Sequence, residues 1–336
     1  MRTTDPLHLG EPAELVAALP YLLGFHPRES LVLVATGGPS GRRLGLTVRV
    51  DLPPPEDAGA VADAAARSLM LDGPAGAAVI VLSGGADPPV RLLVDHVVDR
   101  LRRLGVEVHT VMWAAATTEG SPWSCLDDPA CCGGELPDPA TTAFAAASVA
   151  RGVVVRADRA DLALHVAPVD DARLARREAM IVAEHDRVLD GAAVPTPSAA
   201  ALATVDAALD DAAAGRLALD DRRVVALAAA LSDLRVRDAA MVRGTGTRAA
   251  AAEHLWAALC RETPDPEAAE PAALLAVSAL LRGDGALAHV ALDRAERAWP
   301  GHRLTGLLRQ AADAGIRPAA LRDCLGTGNA ADACAG

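Results

Sequence analysis

Along the first half of the chain the apolar positions change period repeatedly, and each change marks a new element. Residues 12–23 carry Leu15, Leu19 and Leu22 at helical spacing and stop at Gly24, which predicts a short helix. "SLVLVAT" (30–36) is a compact apolar run, the pattern of a buried strand, and the turn-rich "GGPSGRR" follows it. "LGLTVRV" (44–50) then alternates strictly, with Leu44, Leu46, Val48 and Val50 on one face and Gly45, Thr47 and Arg49 on the other. That predicts a strand paired antiparallel with 30–36 through the turn between them. Past Pro53-Pro54-Pro55, residues 56–72 read as a helix, "AAVIVLS" (77–83) as a buried strand, 88–104 as a helix and "VEVHTVMW" (106–113) as another strand. Asp87-Pro88 supplies an N-cap and a first-turn proline for the helix at 88–104. The expectation over residues 1–165 is an α/β domain with a mixed, mainly parallel sheet. Strands 44–51, 77–83 and 106–113 are joined by two right-handed β-α-β crossovers, and 30–36 is the antiparallel member.

From about residue 168 the period is helical to the end, which predicts an all-helical domain over 166–336. Leu174, Ile181 and Val188 recur seven apart on its first helix, and further helices fit 197–214, 221–241, 246–262, 271–282, 285–298 and 302–314. Ala276, Ala288, Ala295 and Pro300 fall at spacings of 12, 7 and 5, with Gly283 at the bend between two helices. Small residues so placed let two helices approach closely, and this is the pattern of a tetratricopeptide-like hairpin, although alanine fills the aromatic positions of that repeat. A solenoid needs about three copies, so one repeat-like hairpin inside a helical domain is predicted. It makes a protein partner or self-association the expected business of this half.

Composition narrows the classes. Apolar residues make up 51% but aromatics only 2%, so both cores must be built from Ala, Leu and Val. All 32 basic residues are arginine, which reflects a GC-rich coding bias rather than a recognition surface. A net charge of −12 argues against nucleic acid or an anionic membrane as partner. No stretch of about 18 apolar residues runs free of charges or breakers, and "MRTTDPLHLGEP" lacks the apolar core of a signal peptide. A cytoplasmic, reducing setting is expected, where clustered thiols are not permanent disulfides.

Three passages carry a resemblance: "LVAALPYLLGFHPRESLVLVA" (15–35), "WSCLDDPACCGGELPDP" (123–139) and the tryptophan-to-"GDGALAHVALDRA" region (256–295). Together they resemble the actinobacterial family known as domain of unknown function DUF 4192, over nearly the whole chain. The family's loop typically continues Cys-Cys-Pro, whereas Gly133 follows Cys132 here. The resemblance implies neither an activity nor a catalytic residue.

Candidate chemistry comes from topology instead. In open sheets with parallel strands, ligands bind beyond the carboxyl ends of the strands. Asp51 ends the first such strand, Ser83 to Asp87 follow the second, and the loop 114–139 with Trp123, Cys125, Cys131 and Cys132 follows the third. Strand 30–36 runs the other way, so His26, Glu29 and Ser30 begin at the same rim. A small ligand is the expected occupant; an enzyme using His26, Asp51 and the cysteine loop is the alternative. Each residue also has a plain structural role: Asp87 as N-cap, Ser83 in a tight turn, Asp51 paired with Arg49, His26 packed in its turn. Ser30 lacks the G-x-S-x-G elbow of a nucleophile. The cysteine spacing, C-x5-C-C, is a poor zinc knuckle; a zinc ion there would need a distant fourth ligand such as His26 or His109. Asp127, Asp128 and Glu135 oppose a reactive thiolate, and the plain alternative is small apolar cysteines tucked beneath Trp123. Asp95, His96 and Asp99 share one helix, where a solvated polar face competes with a metal site.

Overall fold

The computed structural model describes residues 12–37, 43–85, 88–127, 132–150, 153–194 and 196–333. The chain divides between Arg159 and Ala160 into two compact units.

In the first unit, helix α1 (Pro12–Leu23) leads into strand β1 (Ser30–Gly37) and its partner β2 (Arg43–Asp51). Helix α2 (Ala58–Met70) connects to β3 (Gly76–Leu82), and α3 (Pro88–Arg103) connects to β4 (Glu107–Ala114). A hairpin of β5 (Pro122–Cys125) and β6 (Gly133–Glu135) then precedes α4 (Ala143–Ala150). The strands form one sheet in the order β2-β1-β3-β4-β5-β6. Only β3 and β4 are parallel neighbours; every other neighbouring pair is antiparallel.

This corrects the mainly parallel sheet expected from the sequence. Strands β2, β3 and β4 do share a direction, but β1 lies between β2 and β3 and pairs with both. Leu33 faces Val48 on one side and Val79 on the other. The reason lies in the two patterns. Seven of the eight residues of β1 are buried, so it needs neighbours on both edges; β2 has no buried residue and exposes both its ends, which suits an edge.

A bulge also corrects the strict alternation of β2. Val34 faces Thr47 but Thr36 faces Leu44, so Leu44 sits on the Thr47 side of the strand. Leu46, Val48 and Val50 keep to the face packed on the core. At the bulge the Leu46 amide donates to Asp72 Oδ2 at 2.9 Å. A Cβ on Gly45 would come within 2.1 Å of that same oxygen, which is why glycine stands there. The opposite edge ends in the three-residue β6. A bulged, capped edge and a very short one both discourage edge-to-edge pairing.

Helices α2 and α3 close one face. The stripe Ala58, Ala62, Ala65, Ala66 and Leu69 of α2 and the stripe Leu93, Val94, Val97, Val98 and Leu101 of α3 cover Leu31, Leu33, Val79 and Val81. Alanines at helical spacing let α2 lie close without any aromatic filler. On the other face Val32, Val34, Ala78, Ile80, Leu82 and Met112 are at most 2% exposed, so the sheet is shut on both sides.

The second unit is helical throughout its described residues. After α5 (Arg159–Leu164) come α6 (Asp171–Leu189), α7 (Ser198–Ala213), α8 (Asp221–Ser232), α9 (Leu234–Arg243) and α10 (Ala249–Glu262). Then follow α11 (Ala269–Arg282), α12 (Gly285–Ala298), α13 (Arg303–Asp313) and α14 (Pro318–Ala333). The single helix expected over 221–241 is two, because Asp233 takes an extended ψ of 114° and caps α9 through the Arg235 amide. Ser198 donates to its second oxygen, Oδ2, at 2.5 Å. The hairpin of α11 and α12 turns at Gly283, whose φ of +83° favours glycine. Its small residues Ala276, Ala288 and Ala295 are fully buried, as close approach requires.

Helix α6 is held by charge. Arg177, 1% exposed, donates from Nε to Asp221 at 2.8 Å and from Nη1 to the Glu262 carbonyl and carboxylate. The other buried side chain of α6 is Ile181, whereas Val182 and Leu189 are exposed. No helix among the described residues is long and apolar enough to cross a membrane.

Candidate functional site

The strand ends form one row across the sheet. Asp51 faces Ser30, Ser30 faces Leu82, Leu82 faces Ala114 and Ala114 faces Trp123. The register therefore brings the segment ending at Ser30, Asp51, the Ser83 turn and the Trp123 hairpin to the same end of the sheet. Asp87 and Cys131 lie outside the described residues.

Hydrogen bonds lace this row together. Ser83 donates its amide to the Ala114 carbonyl at 3.2 Å, and the indole Nε1 of Trp113 donates to the Ser83 carbonyl and hydroxyl at 3.2 and 3.1 Å. The Ser83 hydroxyl itself donates to the Gly85 carbonyl at 2.6 Å. Glu29 ties the ends of two strands: its carbonyl accepts from the Leu52 amide at 3.0 Å and its Oε1 from the Gly84 amide at 2.9 Å. To do so it holds φ at +41°, in the left-handed region. That region costs a residue with a Cβ roughly 1–2 kcal/mol, so the turn at Glu29 is strained and kept in place by its bonds.

Arg49 organises the β2 end. It pairs with Asp51, donates from Nε to the Ser30 hydroxyl at 2.8 Å and lies 5.9 Å from the centroid of the Phe25 ring. Ser30 is fully buried, and its hydroxyl donates to the Arg28 carbonyl. The plain role of Asp51, a local pair with Arg49, is thus present.

His26 is fixed from two sides. Its amide donates to the Arg156 carbonyl at 3.1 Å, next to an isolated parallel bridge between Phe25 and Arg156. Its Nδ1 lies 2.8 Å from the hydroxyl of buried Thr117, in the loop after β4. Burial, and then the nearby Arg28 guanidinium, push the imidazole below its ordinary value of 6.5. The neutral ring is the form the fold prefers. Stability from this site is therefore complete above the ordinary imidazole value and is lost as pH falls through the lowered one. In His26→Gln, urea-unfolding stability is expected to fall less steeply on acidification below about pH 6.5 than in the native chain.

The loop expected over 114–139 contains a pair of short strands, and the register corrects its placement: Trp123 stands at the rim opposite Ala114, but Cys125 faces Met112, two residues inward, because β5 runs back along β4. Trp123 is half-buried and Cys125 buried, and the Cys125 amide donates to the Cys132 carbonyl at 3.1 Å. Among the described residues no group of three or more His, Cys, Asp or Glu is placed to hold a metal ion. His109 stands against Gly76, at the opposite end of β3 from the rim, and the distance follows from the strand between them. Asp95, His96 and Asp99 are exposed on α3, with Asp99 paired to Arg103. A hollow of about 190 Å³ opens beside that helix, over Val94, Val98, Val111 and Leu126, with Asp95 and Arg102 among its walls. It belongs to the α3 face of the sheet and not to the strand-end row. Cys260, buried in the helical unit, is an inert thiol, since burial pushes it up to about 12.

Sequence reasoning missed Trp113, Thr117, Phe25 and Arg156. Trp113 sits in an apolar strand pattern, and Thr117 and Arg156 carry no motif. Only the fold reveals Trp113 as the partner of Ser83, Thr117 and Arg156 as partners of His26, and Phe25 as the ring beside Arg49.

No curated protein and no solved structure matches this chain. A family model does match it, over residues 12–319. The chain belongs to that family, DUF4192, described as a domain of unknown function.

Proposed function

We propose that the α/β unit is a ligand-binding module whose site is the strand-end rim, and that it acts by binding rather than by catalysis. The observation that carries this reading is where the rim protons go. The hydroxyls of Ser30 and Ser83 donate to backbone carbonyls, not to a histidine, and His26 engages Thr117. A nucleophile needs a base within hydrogen-bond reach, and neither serine has that arrangement. What faces solvent is acceptor-rich: the carboxylates of Glu29 and Asp51, beside exposed Gly84 and Gly85. Such a surface suits a small polar molecule with hydroxyl or amino donors.

The strained turn at Glu29 supports the same reading, because strain held by exposed hydrogen bonds marks a place where a ligand can exchange for them. Thermal-shift screening of a panel of polyols, amines, amino acids and nucleosides tests it. A compound is expected to raise the melting temperature of the native chain and to lose at least half of that shift in Glu29→Gln and Asp51→Asn. A shift unaffected by either substitution, or no shift across the panel, would contradict the proposal.

The helical unit carries the interaction half of the proposal. Val182, Leu189 and Val194 are 53%, 82% and 88% exposed, on and just after helix α6. Val182 and Leu189, seven residues apart, share one face of that helix, which is the surface this half of the proposal assigns to a partner.

A further inference from the structure

The hairpin of β5 and β6 sets Pro122 opposite Glu135, Trp123 opposite Gly134 and Ser124 opposite Gly133. One step further in the same register Cys125 stands opposite Cys132, and the bond from the Cys125 amide to the Cys132 carbonyl, 3.1 Å, extends the ladder to them. Directly opposed residues of an antiparallel pair have Cα atoms about 4.5–5.5 Å apart and send their side chains to the same face. A disulfide needs Cα atoms about 4.4–6.8 Å apart. Both residues are thiols in the structure, Cys125 buried and Cys132 half-buried. Two cysteines directly across a ladder differ from a zinc knuckle, whose ligands must surround an ion, and from a lone buried thiol.

We propose that Cys125 and Cys132 are a reversible modification site, closing as a cross-strand disulfide that staples the turn end of the hairpin, where Cys125 faces Met112 two residues in from the rim. The oxidant is a low-molecular-weight disulfide. The more accessible Cys132, as thiolate, attacks one sulfur of that disulfide; the small S–S bond breaks, and one small thiolate leaves and takes up a proton. The thiolate of Cys125 then attacks Sγ of Cys132, a protein S–S bond forms, and the second small thiol leaves. Two protein thiols are oxidised by two electrons and one small disulfide is reduced to two thiols. The second attack is intramolecular, and the ladder holds its partners together.

Oxidised and reduced glutathione serve as the probe on the full chain, followed by alkylation of the remaining thiols and acid cleavage at the Asp128–Pro129 bond, which separates the two cysteines. In the oxidised sample two thiols are expected to escape alkylation, and the fragments flanking Asp128–Pro129 are expected to stay joined until reductant is added. Cys131→Ser is expected to keep the link and Cys132→Ser to abolish it. The oxidised-to-reduced glutathione ratio at half closure is expected to be about tenfold lower for the folded chain than for the chain unfolded in guanidinium. Fragments that separate at every ratio, a link that survives Cys132→Ser, or equal ratios for folded and unfolded chains would each overturn the proposal.

Discussion

Replacing Arg177 by alanine is expected to destabilise the chain by about 3–5 kcal/mol, the cost of breaking a buried ion pair from one side. Arg177 is 1% exposed and its guanidinium reaches Asp221, Glu262 and the Leu219 carbonyl. Truncation leaves those acceptors facing a void and removes the tie between α6 and the helices carrying Asp221 and Glu262. Arg176 binds the other oxygen of Asp221, but its own side chain is 57% exposed. Arg176→Ala is therefore expected to cost only a small fraction of the Arg177 loss, since water replaces an exposed pair well. Urea denaturation of the two variants gives the comparison. Its pH dependence gives a second check. The Arg176 and Arg177 hydrogen bonds hold the Asp221 carboxyl at about 2, below its ordinary 3.8. Stability from this carboxylate is full above the ordinary value and is lost as pH falls through about 2. In Arg177→Ala that acid loss is expected to shrink.

The second large effect tests the strand order. Leu33 and Val48 face one another across the β1–β2 pair, yet Leu33 is fully buried in an interior strand and Val48 sits half-buried on the edge. Leu33→Ala is expected to cost about 2–5 kcal/mol, the range for a large-to-small change in a core that cannot collapse. Val48→Ala is expected to cost less than half of that. Were β1 at the edge of a mainly parallel sheet, the asymmetry would shrink or reverse. Denaturant midpoints for the two variants decide between these orders.

Much of the architecture was legible because periodicity reports burial. The run 30–36, the alternation of 44–50 and the stripes of 56–72 and 88–104 each correspond to an element found in the structure. The position of β1 was not legible, because the crossover rule gives direction and not adjacency: β2 and β3 are parallel in direction with β1 between them. The bulge at Leu44 escaped because an apolar residue on the wrong parity still reads as alternation. The break at Asp233 escaped because an aspartate inside a helical period is as common on a solvated face as at a cap. The hairpin of β5 and β6 is too short, and too rich in Gly and Pro, for any period to show.

The rim was legible as a direction-of-strands argument, and the register places Asp51, Ser30, Leu82, Ala114 and Trp123 in one row. Its internal bonding was not legible. Arg49 onto Ser30, Trp113 onto Ser83 and His26 beside Thr117 depend on three-dimensional neighbours 19, 30 and 91 residues apart. These bonds hold the Ser30 and Ser83 hydroxyls on backbone carbonyls, the arrangement on which the binding proposal is built. The family assignment leaves the question of function to that geometry.

The most direct measurement of the central claim is hydrogen–deuterium exchange on the native chain, with and without a compound that raises its melting temperature. Added protection is expected in the peptides containing His26 to Ser30, Asp51 and Leu52, and Ser83 to Gly85. Protection confined to the helices after Ala160, with the strand-end peptides unchanged, would contradict the account.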